Sequence, residues 1–213
     1  MTDYSGTAPG FRELPALTIT KVSVGPADNN CYLLRCRTTG AQLMIDAAND
    51  PATLLELCGG RLDAVVTTHR HADHWAGALA EVVAATGART YAGAPDVEGI
   101  DVRTDVPVQD GDTIHCGEST LRAIRLTGHT PGSIALLYQD PAGHGHLFTG
   151  DSLFPGGPGR TTNPQEFASL MGDLETKVFG RLPDDTWFYP GHGRDSTLGT
   201  ERPAIPEWRA RGW

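Results

Sequence analysis

No run in the chain approaches the roughly 18 consecutive apolar residues that a membrane-crossing helix needs, so no membrane partner is expected. The N-terminal stretch Met1-Thr2-Asp3-Tyr4-Ser5-Gly6-Thr7-Ala8-Pro9-Gly10 lacks the basic and apolar regions of a signal peptide. Residues 1–15 therefore read as a mobile tail, on a protein expected to be cytoplasmic. Cysteine is scarce: Cys31, Cys36, Cys58 and Cys116 form no Cys-x-x-Cys pair and no zinc-finger spacing. With no sign of secretion they are expected to be reduced thiols, Cys31 and Cys116 packing as small hydrophobes in strand-like runs. None is placed like a nucleophile. Basic charge is short too, with 17 Lys and Arg against 26 Asp and Glu, a formal net charge of −9. No Lys/Arg cluster makes the basic stripe of a nucleic-acid binder, so no nucleic acid is expected as a partner. Internal repeats, low-complexity tracts and linkers are also missing. Residues 16–213 thus read as one domain, a length suited to one sizeable core.

What is present alternates strand-like and helical segments. Leu17-Thr18-Ile19-Thr20-Lys21-Val22-Ser23-Val24 alternates with period two and predicts a strand. Runs over Cys31–Arg37 and Gln42–Asp46 flank a hairpin turn, Thr38-Thr39-Gly40-Ala41. Pro51–Cys58 predicts a short helix, capped by Asn49 or Asp50 and stopped by Gly59-Gly60. Asp63–Thr68 is an apolar β-type run. The alanine-rich segment Trp75–Thr86, ended by Gly87, predicts a helix whose N-terminal dipole would favour an anion beside the preceding loop. Further strands are expected over Arg89–Tyr91, Thr113–Cys116, Ser119–Leu126, Ser133–Tyr138 and His146–Phe148. Asn163 and Pro164 start a helix reaching Phe179, and Trp187–Tyr189 is the last expected strand. The pattern by itself implies mixed α and β structure in one layered domain.

The densest chemistry lies in Thr67-Thr68-His69-Arg70-His71-Ala72-Asp73-His74-Trp75, directly after the run that ends at Thr68. Imidazole and carboxylate are ligands that zinc, iron and manganese accept. The spacing is not the i, i+4 pair of a helical His-Glu-x-x-His site. It suits a loop leaving a strand, with His69 and His71 on one side and Asp73 with His74 turned to another, a geometry able to serve two adjacent metals.

The string His-x-His-x-Asp-His resembles the signature of the metallo-β-lactamase superfamily. The later motifs of that family follow in order: His129 in Thr-Gly-His-Thr-Pro-Gly, Asp151 in Thr-Gly-Asp-Ser, and His192 in Tyr-Pro-Gly-His-Gly. The resemblance, which runs from about residue 16 to about 200, implies a four-layer αββα sandwich of the α+β class. It also implies two divalent metal ions, zinc first, with iron or manganese as alternatives. His69, His71 and His129 would hold the first metal; Asp73, His74 and His192 would hold the second; Asp151 would bridge them. A hydroxide shared by the metals would then be the nucleophile, with Asp73 and Asp151 as the carboxylates that serve it.

Aspartate at position 151 is typical of the thioesterases, lactonases, phosphodiesterases and oxygen-using members, which turns the expectation away from antibiotic hydrolysis. Gly150-Asp151-Ser152-Leu153-Phe154, Gly159-Arg160 and Thr197-Leu198-Gly199-Thr200-Glu201 look most like the glyoxalase II group, hydroxyacylglutathione hydrolases that cleave thioesters. The resemblance implies that Arg160 helps hold an acidic thiol carrier, as a guanidinium can grip a carboxylate with two hydrogen bonds. The departure is the C-terminus: 21 residues follow His192, room for one short helix and not for that group's helical C-terminal domain. A different small thioester or ester is then as plausible a substrate as a glutathione one.

Two rival readings stand beside this one. A mononuclear iron persulfide dioxygenase would use His69, His129 and Asp151 as a two-histidine, one-carboxylate site. A non-catalytic metal-binding protein would keep the ligands without the reaction. Self-association into a homo-oligomer is left open. His115, His144 and His146 match no motif and are expected to be structural or exposed. Gly156-Gly157-Pro158-Gly159 reads as a mobile loop beside the site, and Trp75 and Phe154 as pocket-lining or packing aromatics.

Overall fold

The computed structural model describes residues 10–212. Its first sheet takes its strands in sequence order: β1 (Gly10–Glu13), β2 (Leu17–Val24), β3 (Asn29–Cys36), β4 (Gln42–Ile45), β5 (Ala64–Thr67), β6 (Arg89–Gly93) and β7 (Val106–Val108). The run β1 to β4 is antiparallel, whereas β4 to β7 is parallel. Antiparallel neighbours need only turns; the parallel ones need crossovers. The helix α1 (Pro51–Leu57) makes the first crossover and α2 (Leu79–Thr86) the second.

The second sheet is built from β8 (Thr113–Cys116), β9 (Ser119–Arg125), β10 (Ile134–Gln139) and β11 (Gly145–Gly150). A short hairpin follows, β12 (Leu153–Phe154) with β13 (Gly157–Pro158). The helix α3 (Pro164–Asp173) continues through a π-helical turn over Leu174–Phe179, and β14 (Trp187–Pro190) then pairs in parallel with β11. The chain closes with β15 (Ser196–Thr197), α4 (Leu198–Glu201) and α5 (Ile205–Arg211).

Three apolar cores make four layers. Between the sheets, Leu17, Ile19, Tyr32, Leu34, Leu43 and Ile45 face Leu121, Leu136, Phe148 and Tyr189. The alternate residues of the first sheet, among them Val22, Leu33, Met44 and Val65, pack under Leu54 of α1 and Leu79 and Val82 of α2. On the other side Ile124, Ala135, Leu147 and Phe188 pack under Leu170, Met171, Leu198 and Trp208. Strand period two sends successive side chains into different cores. Central strands such as β3 are therefore apolar on both faces, and the expected αββα sandwich follows.

Several expectations need correction. The tail over 1–15 is ordered from Gly10, whose strand pairs with β2; residues 1–9 lie outside the described residues. The helix expected from Trp75 starts at Leu79, because a 3-10 turn over Ala72–His74 and a bend fill the interval. Its N-terminus therefore does not abut the ligand loop. Asp50 sits at the start of α1 in a left-handed conformation, and its side chain donates no cap to that helix; it accepts from Gly25 N at 2.8 Å instead. Trp187–Pro190 is not the last strand, since Ser196–Thr197 adds an edge, and the C-terminus holds two short helices where one was expected. The glycine-rich stretch 156–159 is not a free loop but the return strand of a hairpin, packed on α5. His146 lies within β11, fully buried, and donates to or accepts from Tyr189 Oη at 2.8 Å. All four cysteines are buried and unpaired thiols, as expected. Among the described residues no helix is long and apolar enough to cross a membrane.

Candidate metal centre

The seven expected ligands come from four loops that meet at one edge of the sandwich. His69, His71, Asp73 and His74 follow the C-terminal end of β5, His129 follows β9, Asp151 follows β11, and His192 follows β14. Backbone hydrogen bonds tie these loops together across the two sheets. Thr68 O accepts from Ile134 N at 3.0 Å, Gly191 O from Asn30 N at 2.7 Å, and Gly150 O from Gly191 N at 2.8 Å. Residues far apart in sequence thus converge because the strand ends that carry them are stitched together.

Three groups of side chains have all their donor atoms within 4.8 Å of one another: His69, His71 and His129; His69, His74 and Asp151; and Asp73, His74 and His192. His129 Nε2 lies 3.2 Å from His69 Nε2 and 3.0 Å from His71 Nδ1. On the other side His74 Nε2 is 3.5 Å from Asp73 Oδ2 and 3.5 Å from Asp151 Oδ1, and His192 Nε2 is 3.4 Å from Asp73 Oδ2. Asp151 stands between the groups, its Oδ2 being 3.8 Å from His129 Nε2 and 3.6 Å from His192 Nε2. Ligands about 2.0–2.1 Å from a tetrahedral ion lie roughly 3.3 Å from each other. The observed separations bracket that value.

The outer nitrogens fix which ring atom faces inward. His129 Nδ1 lies 2.7 Å from Arg160 O and His192 Nδ1 2.9 Å from Ala27 O. A carbonyl only accepts, so both Nδ1 atoms carry the proton and both Nε2 atoms present a lone pair to the centre. His74 Nδ1 is held by Asp46 Oδ2 at 2.9 Å, and His69 Nδ1 lies 3.1 Å from Thr68 Oγ1. Asp73 Oδ2 accepts from Asn29 Nδ2 at 3.0 Å. This is the outer ring of partners that metal-ligating histidines use to hold tautomer and orientation.

The electrostatics divide the centre in two. Burial pushes His69 well below its ordinary pKa, and neighbouring histidines push it further. Burial also lowers His129, and the pull of Arg160 O and Asp151 does not offset it. His74 goes the other way: burial lowers it, but the charge of Asp46 and the contacts with Asp151 and Asp46 win, raising it to about 10. For Asp151 burial opposes ionisation, yet His74 brings the carboxyl below its usual range. Asp73 is lowered too, against burial, by the Asn29 bond and the charge of His74. Neutral imidazoles, His69 and His129, thus stand beside two ionised carboxylates, Asp73 and Asp151, gathered about the positive charge on His74.

These residues fit metal ions. His74 Nε2 and Asp151 Oδ1 are buried, face each other, and have no hydrogen-bond partner. Buried polar atoms left without a partner are rare and costly, and a cation shared between them would satisfy both. A centre of five imidazoles and two carboxylates suits zinc, iron or manganese over calcium or magnesium.

Sequence comparison decides the family. Residues 24–192 of the 213 match the model for the metallo-β-lactamase superfamily. The chain belongs to that superfamily. A hydroxyacylglutathione hydrolase of Polaromonas sp. is 35% identical over 83% of this superfamily member, which spans 66% of that relative's length. Among solved structures, TTHA1623 in a di-iron-bound form is 30% identical, with a TM-score of 0.70 over 85% of this chain and 96% of that one. ETHE1 from Myxococcus xanthus is 26% identical, with a TM-score of 0.74 over 90% of this chain and 84% of that one.

The other expected residues divide. Arg160 sits beside the centre, its carbonyl 2.7 Å from His129 Nδ1 and its side chain exposed. Trp75 is packing, buried in the core under α1 and α2 with Nε1 donating to Arg70 O at 3.0 Å. Phe154 is half-buried in β12. His115, His144 and His146 join none of the groups of donor atoms found among the described residues. Asp46, Asn29 and Asp96 escaped sequence reasoning. Asp96 is fully buried and accepts from Arg70 N at 3.0 Å, Thr130 Oγ1 at 2.5 Å and Gly132 N at 2.8 Å. It thereby clamps the loop of His69 and His71 to the loop of His129. A lone aspartate in a loop carries no signal of that kind.

Proposed function

We propose that this member of the metallo-β-lactamase superfamily is a dinuclear metal-dependent hydrolase of a small thioester. The observation that carries this reading is that Asp151 faces both groups of ligands, with the second group, Asp73, His74 and His192, as fully assembled as the first. In this reading His69, His71 and His129 would hold one ion and Asp73, His74 and His192 the other, with Asp151 available to each group. Divalent ions bound there, zinc in the first place, supply a Lewis acid and a water ionised near neutral pH. The chain supplies the geometry: Asp46 and the carbonyls of Ala27 and Arg160 aim the imidazoles, and Asn29 aims Asp73. Asp73 and Asp151 are the carboxylates beside the reacting atoms, and hydrolysis gives a carboxylic acid and a free thiol. The likeness to hydroxyacylglutathione hydrolases supports a thioester as substrate. A cytoplasmic setting, a small-molecule partner and a single domain, which β1 extends back to Gly10, belong to the same reading.

The second reading, an iron-dependent persulfide dioxygenase, draws support from one observation. His69, His129 and Asp151, the three residues it needs, also converge. Metal content per chain and a substrate assay separate the two. Two metals per chain with thiol release from S-lactoylglutathione, and no such release after His71→Ala, is the expected result. One iron per chain, with oxygen consumed on a persulfide and no thioester cleavage, would overturn the hydrolase.

A further inference from the structure

Lys21 breaks the pattern of its strand. In β2 it follows Leu17 and Ile19 on the face that those residues send into the core between the sheets. An apolar side chain would satisfy that position. A buried ammonium is tolerated only where it is paired and hydrogen-bonded, and Lys21 is buried. Its Nζ ends 5.9 Å from the ring centre of Tyr32, its register partner in β3. From there it donates to Gly193 O at 2.6 Å and to Asp195 Oδ1 at 2.7 Å. The Asp195 side chain is 1% exposed, so the ion pair is shut off from solvent on both sides. It spans 174 residues of sequence and joins the first sheet to the loop that carries His192.

That loop has a weak conformational preference of its own. Gly193, directly after His192, turns at φ 70° with open space where a side chain would stand. Glycine enters that conformation freely and leaves it as freely, so its neighbours must hold it. The residues before His192 are held by β3. Asn30 N donates to Gly191 O at 2.7 Å, and Tyr32 Oη and Asn30 Nδ2 donate to Pro190 O at 2.6 and 2.9 Å. After His192, Asn30 Nδ2 reaches Gly193 O at 2.9 Å. Lys21 shares that carbonyl and carries the hold on to Asp195. The bond from His192 Nδ1 to Ala27 O sets the tautomer of the ring; the backbone on either side sets where the ring stands.

We infer that Lys21 and Asp195 are positioning residues, a latch that places His192 and so sets the metal affinity of the group formed by Asp73, His74 and His192, separately from that of His69, His71 and His129. The inference rests on the dinuclear reading of the centre and not on the identity of the substrate. The test is a competition titration of the full chain, stripped of metal, with zinc against a chelator, which reads the affinity of each successive ion. His192→Ala identifies the binding step that belongs to His192. Lys21→Met and Asp195→Ala are each expected to weaken that step about tenfold, and to change the other step less than about threefold. The double variant should lose no more than the larger single loss, because the two side chains act as one unit.

The sign of the effect separates positioning from charge. A pair acting only through its field would tighten the site when the ammonium is removed and loosen it when the carboxylate is removed. Tighter zinc binding by Lys21→Met would therefore overturn the latch. An unchanged step in both single variants would overturn it too, as would equal losses in both steps, which a general loosening of the fold produces. If His192→Ala removed no step, the dinuclear reading would fall and the latch with it. A latch that passes in a protein releasing no thiol from S-lactoylglutathione would stand, and the thioester hydrolase would fall.

Discussion

Asp46 ends the strand beside β5 in a left-handed conformation, φ 58°, which costs a non-glycine residue about 1–2 kcal/mol. In return one buried carboxylate accepts from Thr68 N at 2.7 Å, Thr68 Oγ1 at 2.8 Å and His74 Nδ1 at 2.9 Å. It holds both the backbone that leads into His69 and the ring of His74. Removing such a partner weakens a metal site by about 10–100-fold. Asp46→Ala is accordingly expected to lower affinity most for the ion that Asp73, His74 and His192 would hold, and less for the one at the three-histidine group, which it reaches only through Thr68. A zinc titration against a competing chelator reads the two affinities, and two unchanged affinities would contradict the role. His146 makes a second case at this scale. Burial, with His144 and Arg12 adding to it, lowers its pKa to about 4. The unfolded chain binds that proton near pH 6.5 and the folded one does not. His146 therefore costs no stability above 6.5, and its penalty grows as pH falls from 6.5 to about 4, reaching roughly 3 kcal/mol. An imidazole NMR titration should find His146 neutral at pH 5; a midpoint near 6.5 would refute this.

Loops rather than helices or strands carry every ligand, so their order depends on what clamps them. Asp96 does this for two of them at once, from the 3-10 segment Ala94–Gly99 that follows β6. Leaving Arg70 N, Thr130 Oγ1 and Gly132 N without their acceptor costs about 2–4 kcal/mol. Urea denaturation of Asp96→Ala should register that loss, and stability within half a kcal/mol of wild type would show the clamp to be dispensable. The elements themselves were largely legible. The segment Leu17–Val24 alternates because Leu17 and Ile19 face the core between the sheets while Thr18 and Thr20 stay half-buried, and from Val22 to Val24 the apolar side passes to the core under the helices. Asn163 accepts from Glu166 N at 2.9 Å, as its place before Pro164 implied. The misplaced start of α2 has a local cause. Trp75 is held by Arg70 O through its indole and buried under α1 and α2, which bends the chain out of helix until Leu79.

Across the whole molecule, the metal centre is the place where the two sheets are joined at one edge, so its ions should stabilise the fold as well as the site. Ligand bound at about a thousandfold excess over Kd contributes about 4 kcal/mol to the folded state. For a chain of this size that is on the order of 10 °C in Tm. Exhaustive chelation should lower Tm by that amount and added zinc restore it; an unchanged Tm would mean that the centre is preformed and carries no load. The ordered string of His69, His71, Asp73, His74, His129, Asp151 and His192 was determined by sequence alone, since each residue type and neighbour is written locally and the family pattern is long. The layered class followed too, because strand period and helix starts are local properties. Tertiary structure alone decided that Asp46, Asn29 and Asp96 support the centre, and that the carbonyl of Arg160 meets His129. Those facts depend on loops and layers meeting across 22 to 44 residues of sequence, and no local pattern encodes such a meeting.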